Sequence, residues 1–430
     1  MSRLSLLFLL VSISIISVIY GCNTAPQTDL VAYTNATIWS GADDQIHENA
    51  ALITQNGRVV EILSMDAPDF PATSQTIDLD GAYLIPGLIN AHGHISVVRG
   101  LDPGPAAETI DNVVDQLTLN ARYGVTTVVS LGDEPIHAFL VRDNMNPVDR
   151  PMSRSFLAGR VLNPPSVDAV EEDVARHIQN RPDWIKIRVD DGLGTRQKLS
   201  EEIYSKIISE SHSHDKPVAV HIVTLEDAKQ VLKNGADLIA HSVRDINVDD
   251  ELIQLMLQEN VCITPTLTRE LSTYIYADRP DFFDDPFFLK EADTLVLEQL
   301  QMPAVQEISK TESAQFFREA LPLAIENMIT MHNAGVKIAL GTDSGPPARF
   351  QGYFEHVEMG MMQDAGMSPL EVLSSATRLA AECMRIDSEL GTLESGKWAD
   401  FIVLDEDPFQ DVQNLRSIRS VYIGGNEVKR

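Results

Sequence analysis

Between positions 83 and 340, apolar runs of four to eight residues recur, most of them followed by a stretch with helical spacing. The runs are Tyr83–Asn90, Thr126–Leu131, Ser155–Val161, Trp184–Val189, Pro217–Ile222, Asp237–Ala240, Val261–Pro265 and Val336–Leu340. Short runs without polar alternation are strands covered on both faces, as in a parallel sheet. The intervening helices include 106–123, stopped by Gly124, then 200–211, and 225–233, stopped by Asn234-Gly235. Eight strand–helix repeats predict an α/β fold, a (β/α)8 TIM-type barrel over residues 85–390. An open doubly wound sheet is the alternative. It would usually place a Gly-rich phosphate loop after the first strand, where this chain has His92-Gly93-His94.

The two ends have a different texture. Residues 31–63 alternate short apolar and polar pieces, with turns at Gly41–Asp44 and Asn56-Gly57. Phe401–Leu404 and Ser420–Ile423 repeat the pattern, and Gly424-Gly425-Asn426 turns the chain once more. Segments 31–84 and 391–430 are therefore expected to build one small β-sandwich domain together. Residues 268–330 interrupt the barrel rhythm and carry Tyr274, Tyr276, Phe282, Phe283, Phe287 and Phe288. This insertion reads either as a lid over the strand ends or as extra helices packed on the barrel. Ahead of all this stand Arg3, an apolar run from Leu4 to Ile19, and Gly21-Cys22. The arrangement predicts a signal peptide over 1–21. Its end resembles the bacterial lipoprotein processing box, so Cys22 is expected to be lipidated, 22–30 to be a tether, and the protein to be an exported, periplasmic lipoprotein.

Composition narrows the chemistry. The chain has 430 residues, 33 Lys plus Arg against 63 Asp plus Glu, and a net charge of −30, which disfavours nucleic acid as a partner. Three cysteines exclude a disulfide scaffold, and Cys262 and Cys383 read as buried, inert thiols. Neither a Gly-x-Ser-x-Gly elbow nor a phosphate-binding Gly-x4-Gly-Lys-Ser/Thr loop is present.

The polar residues that end the predicted strands are the informative ones. In an extended segment residues i and i+2 share a face, so His92 and His94 point together as a metal-ligand pair. The fourth strand carries Lys186 in an apolar run, which is costly to bury without a purpose. The fifth ends in His221, the sixth in His241 and the eighth in Asp343. Strand C-terminal ends are where such barrels place their active sites.

These positions, with Ile85-Pro86-Gly87-Leu88-Ile89-Asn90-Ala91-His92-Gly93-His94 and Gly391–Leu404, resemble the amidohydrolase superfamily across nearly all of the chain beyond residue 22. The likeness is to the branch of imidazolonepropionase and bacterial prolidases and carboxypeptidases. The resemblance implies two divalent ions, usually zinc. His92, His94 and Asp343 would hold the buried one, His221 and His241 the outer one, and Lys186, carbamylated by carbon dioxide, would bridge them. A hydroxide between the ions would then attack a scissile carbonyl, with Asp343 as the catalytic proton carrier. Single-metal deaminases and imidazolonepropionase usually have Glu three residues after the fifth-strand His and lack the lysine; this chain has Thr224 there and keeps Lys186. Both departures favour hydrolysis of a C–N bond in a peptide, N-acyl amino acid or cyclic amide, with an Xaa-Pro dipeptidase or carboxypeptidase-like enzyme foremost. Ester or phosphotriester hydrolysis at the same ions is the second reading, and a non-catalytic solute-binding lipoprotein the third. Small molecules or short peptides are the partners implied.

Arg188, on the face of Lys186, and His137, after the second strand, are candidate substrate-binding residues. Arg244 and Arg349 lie in loops on the active side and read as surface residues. His212 and His214 form a second His-x-His, but at a helix end, where imidazoles suit the helix dipole.

Overall fold

The computed structural model describes residues 30–430, so the predicted signal sequence and lipidation site lie outside the described residues. The strands are β1 (Leu30–Trp39), β2 (Ile46–Gln55), β3 (Arg58–Ser64), β4 (Gln75–Asp78), β5 (Tyr83–Pro86), β6 (Leu88–Gly93), β7 (Val125–Ser130), β8 (Arg154–Leu157), β9 (Ile185–Arg188), β10 (Val218–His221), β11 (Leu238–Ala240), β12 (Cys262–Thr264), β13 (Phe401–Leu404), β14 (Ile418–Ile423) and β15 (Asn426–Glu427). Strands β6 to β12 are parallel and run in chain order in two arcs, β6-β7-β8 and β9-β10-β11-β12. Single bridges join the arcs into a closed barrel: Leu162 to Ile187 between β8 and β9, Ile263 to Ile338, and Gly93 to Ser344.

The last two bridges show how the eighth strand differs from expectation. Residues 336–344 complete the wall without forming a regular ladder. Ile263 N–H donates to Lys337 O at 3.1 Å, Ala339 N–H to Ile263 O at 2.9 Å, and His94 N–H to Ser344 O at 2.8 Å. Asp343, with φ of 56°, breaks the extended run. The first predicted strand, Tyr83–Asn90, is likewise divided. Tyr83–Pro86 pairs with β1 and β13 in the terminal domain, whereas Leu88–Gly93 enters the barrel. Gly87 lies at the division, where a Cβ would come within 2.2 Å of Thr126 Oγ1.

The terminal segments form one sheet in the order β15-β14-β13-β5-β1-β2-β3. Register shifts in β1 between Tyr33 and Ile38, with Asn35 at φ 56°, let its first half pair with β4 and its second half with β5. Tyr33, Phe401 and Tyr422 fill the space beneath. Arg154 of β8 holds Asp400 with two hydrogen bonds of 2.6 and 3.0 Å and lies 4.4 Å over the Trp398 ring, fastening this domain to the barrel.

In the insertion, Glu312–Asn333 is the barrel helix before the eighth strand. The aromatic residues pack with Tyr123, Phe350, Tyr353 and Phe354 in a satellite core, where Tyr276, Phe283 and Phe288 are fully buried. They glue the preceding short helices to the barrel.

Cys262 and Cys383 are not free thiols but a disulfide, with Cα atoms 5.8 Å apart. Their separation of 121 residues hides the pairing from sequence patterns. The bond joins the start of β12, the end of the barrel away from the histidines, to the helix Arg378–Cys383. Closing so long a loop restrains the unfolded chain, so Cys262→Ser with Cys383→Ser is expected to lose about 2–5 kcal/mol in denaturant unfolding, with the fold retained. Thiol titration of the unfolded, unreduced protein checks the bond itself: neither Cys262 nor Cys383 should react.

Candidate metal centre

His92, His94, Lys186, His221, His241 and Asp343 meet in one chamber of about 210 Å³ at the C-terminal mouth of the barrel. Each arrives from a different wall position, and backbone strain helps to aim them. His241 has φ of 73° and Asp343 of 56°, both left-handed for a residue with a Cβ. Such conformations cost on the order of 1–3 kcal/mol each and persist where the surroundings fix them.

The ring orientations are set from outside the chamber. His92 Nδ1 lies 3.1 Å from Thr264 Oγ1, His241 Nδ1 2.7 Å from Thr266 Oγ1, and His94 Nδ1 2.7 Å from Gly132 O. Their Nε2 atoms are therefore free to face inward. His94 Nε2 is 2.6 Å from Asp343 Oδ1, and His92 Nε2 is 3.6 Å from the same oxygen and 3.2 Å from Lys186 Nζ. His241 packs against both His92 and His221, with ring centroids 4.6 and 4.2 Å away. The buried Nε2 of His221 lies 3.4 Å from Asp190 Oδ2 without hydrogen-bond geometry.

Electrostatics suits cation ligation. Burial, reinforced by Lys186, holds His92 well below the usual imidazole range, and burial does the same for His221 and His241. All three are thus neutral donors. Burial opposes ionisation of Asp343, but Arg349 and His94 outweigh it and keep the carboxyl well below its ordinary range. Burial pushes the Lys186 ammonium down to about 7. Ligand atoms of His92, His94 and Asp343 lie within 4.8 Å of one another. Three buried neutral imidazoles, one of them with an orphaned ring nitrogen, and His94 against the Asp343 carboxylate are a fitting donor set for divalent ions of the zinc type.

A buried frame supports these side chains. Asn90 Oδ1 accepts from His92 N–H at 3.0 Å, and its amide donates to Glu355 Oε1, which also accepts from Ser344 Oγ at 2.7 Å. Glu134 accepts from Gly132 N–H at 2.8 Å and Gly159 N–H at 2.5 Å, fixing the loop whose carbonyl orients His94.

Two arginines read as surface residues are drawn inward instead, Arg244 buried and Arg349 half-buried. Arg349 pairs with Asp343 Oδ2, and Arg244 lies 3.0 Å from Glu270 Oε1 with 2% exposure. Both are drawn inward by a buried carboxylate that adjacent sequence does not reveal. Arg188 lines the chamber. His137 does not: it sits in the first turn of the helix Ile136–Asn144, and its buried Nδ1 has no hydrogen-bond partner among the described residues. His212 and His214 face Asp237 and Glu210 at their helix end, at 2.8 and 3.7 Å. Sequence reading passed over Asp190, Arg196 and Arg269, which also line the chamber. Asp190 had a signal, since it continues the alternation Lys186-x-Arg188-x-Asp190. Arg196 and Arg269 lie in segments with no periodicity to read.

Residues 83–428 match the profile of the amidohydrolase family. The 5-methylthioadenosine/S-adenosylhomocysteine deaminase of Bacillus cereus is 23% identical over 403 residues, covering 87% of this chain and 85% of that protein. Among solved structures, a Xaa-Pro dipeptidase with bound methionine superposes with a TM-score of 0.73 at 22% identity, over 93% of this chain and 99% of that one. Phenylurea hydrolase B superposes with a TM-score of 0.74 at 21% identity, over 93% and 97%.

Outer partners of ligating histidines commonly contribute 10–100-fold to metal affinity. Thr264→Val keeps the volume but removes the hydroxyl beside His92 Nδ1. It is expected to weaken binding of one ion by about 10–100-fold in a chelator-competition titration, with little change in thermal stability.

Proposed function

Because the chain belongs to the amidohydrolase family, we propose that it is a two-metal hydrolase of C–N bonds, acting on a peptide, an N-acyl amino acid or a cyclic amide, with Xaa-Pro dipeptidase or carboxypeptidase-like activity foremost. The observation that carries this reading is Lys186, buried in the same chamber as four histidines and Asp343. His92, His94 and Asp343 would hold the inner ion, His221 and His241 the outer one, and Lys186, carbamylated by carbon dioxide, would stand between them. Zinc fits these donors. When bound, such ions supply Lewis acidity to a carbonyl and lower the pKa of water.

The chain's own residues do the rest. Asp343 is placed to take a proton from the attacking water and pass it to the leaving nitrogen. Arg349 and His94 hold both of its oxygens and fix its direction. Arg188, at the chamber wall, is available to a substrate carboxylate.

The Bacillus cereus relative favours a second reading, deamination. Against it, Thr224 occupies the place where single-metal deaminases usually carry Glu. Its hydroxyl caps the helix Leu225–Lys233, accepting from Asp227 N–H and donating to Asp227 Oδ2 at 2.7 Å. Ester and phosphotriester cleavage use the same ions, and side-by-side rates on an aryl ester, a phosphotriester and a dipeptide panel separate them. A solute-binding role without turnover would leave Asp343 and Lys186 without a task. For location we propose an exported, lipid-anchored periplasmic enzyme, a reading supported by the Cys262–Cys383 disulfide, which is characteristic of oxidising compartments.

Metal analysis of the purified protein is expected to find two divalent ions per chain; fewer than one, with all six ligands intact, would count heavily against the proposal. With a zinc-loaded form and a dipeptide library, Asp343→Asn is expected to lower kcat by about 10²–10⁴-fold while substrate binding stays measurable. Unchanged turnover would remove Asp343 as proton carrier.

A further inference from the structure

One carboxylate lies outside the metal chamber yet is joined to both segments that carry the inner ligands. Glu355 is the third residue of the helix Tyr353–Asp364 and is fully buried. Its Oε1 accepts from Asn90 Nδ2 at 2.5 Å, Ser344 Oγ at 2.7 Å and Thr342 Oγ1 at 3.1 Å. Its Oε2 is buried and has no hydrogen-bond partner among the described residues.

Each of the three donors stands next to a ligand of the proposed inner ion. Asn90 precedes His92 by two residues on β6, and its Oδ1 accepts from His92 N–H at 3.0 Å. Thr342 and Ser344 flank Asp343, the residue with φ of 56°. Thr342 Oγ1 also accepts from Asn90 Nδ2 at 2.9 Å and from Ser344 N–H at 3.1 Å. Backbone bonds complete the junction: Asp343 N–H donates to His92 O at 2.7 Å, and His94 N–H to Ser344 O at 2.8 Å. One oxygen thus holds the left-handed turn at Asp343 from both sides and also fixes the residue that steadies His92. Among the described residues no hydrogen bond joins His221 or His241 to this cluster.

The cluster does work that a regular ladder does elsewhere. Segment 336–344 closes the barrel through isolated bridges, so side chains must fix the spacing between Asp343 and β6. The acceptor also has to be an anion. Three donors crowd one oxygen, which a full negative charge tolerates better than a neutral amide oxygen. Glutamine would in addition bring an N–H2 group to a place that offers no acceptor. The first turn of a helix favours that negative charge.

We propose that Glu355 is a positioning residue for the inner metal position: it sets the spacing of His92, His94 and Asp343, so the inner ion depends on it and the outer ion does not. The consequence for metal binding rests on the two-metal reading above; the consequence for ligand geometry does not.

The test compares Glu355→Gln with Glu358→Gln. Glu358 lies one turn along the same helix, is equally buried, and accepts from Leu267 N–H and Thr268 N–H, both at 2.7 Å. Chelator competition gives the zinc affinities, and anomalous diffraction of crystals at limiting zinc shows which position each belongs to. Glu355→Gln is expected to weaken the inner ion by about ten-fold or more and the outer ion by less than about three-fold, with Glu358→Gln changing neither by more than about three-fold whatever its thermal stability. An unchanged inner affinity in Glu355→Gln, or an equal loss in the two variants, overturns the proposal. Ser344→Ala and Thr342→Val each remove one donor and keep the carboxylate, so they carry the same comparison if Glu355→Gln does not fold. Ser344→Ala should also add no further loss in the Glu355→Gln background; fully additive losses would mean that the two act separately.

NMR of isotope-labelled histidines in the metal-free protein separates this proposal from the two-metal reading. Glu355→Gln is expected to move the ring-nitrogen signals of His92 and His94 and to leave those of His221 in place. Should the wild type hold fewer than one ion while His92 and His94 still shift, the two-metal reading fails and the positioning role stands. Should it hold two ions while neither ring responds, the positioning role fails and the reading stands.

Discussion

An amine buried against an imidazole governs the mouth of this barrel. Lys186 Nζ lies 3.2 Å from His92 Nε2 and is 2% exposed, with no carboxylate in ion-pair contact among the described residues. A lone ammonium in such surroundings is costly, and burial accordingly shifts its titration down to about 7. On the proposed function, two changes would relieve the cost together: conversion of the amine to an anionic carbamate, and arrival of dications for which the carbamate and neutral imidazoles would be ligands. Each change would then make the other favourable. The same logic explains why His92, His221 and His241 are kept neutral by burial, not protonated by neighbouring acids.

The frame around that amine is rigid where the ligands need it. Thr264 and Thr266, on and just beyond the end of β12, orient His92 and His241 from one segment. The opposite end of β12 is tied by the Cys262–Cys383 disulfide. One short strand therefore transmits the anchoring of the barrel floor to two rings at its mouth. Irregular closure along 336–344 serves the same end. A regular eighth strand would send Asp343 along the wall, whereas its left-handed turn brings the carboxylate within 2.6 Å of His94.

Much of this architecture was legible because buried parallel strands have a plain signature. The spacing of apolar runs locates the barrel strands, and the residues ending them are the ones that converge. What stayed hidden depends on contacts between distant segments. Arg244 and Arg349 look like ordinary loop cations until Glu270 and Asp343 are placed beside them. Cys262 and Cys383 look like inert thiols until the last helix folds under β12. Tyr83–Asn90 looks like one strand because hydrophobicity runs across Gly87 without a break, while hydrogen bonding changes sheets there. His137 shows the reverse limit: position after a strand fixes the side of the barrel, but not the direction in which a helical side chain points.

The charge pattern acquires a reason at the site. A chain of net charge −30 gathers Arg188, Arg196, Arg244, Arg269 and Arg349 around one mouth. At physiological salt the screening length is about 8 Å, so the acidic exterior contributes little inside the cavity. The local field there is set by those guanidiniums and the carboxylates within their reach. Glu270 and Asp343 neutralise enough of that charge to let Arg244 stay buried and Arg269 and Arg349 half-buried, and the pairing fixes where their remaining donors point. Carboxylates that look like stabilising partners are thus also positioning groups, because a guanidinium held on one edge can present only the other to a substrate.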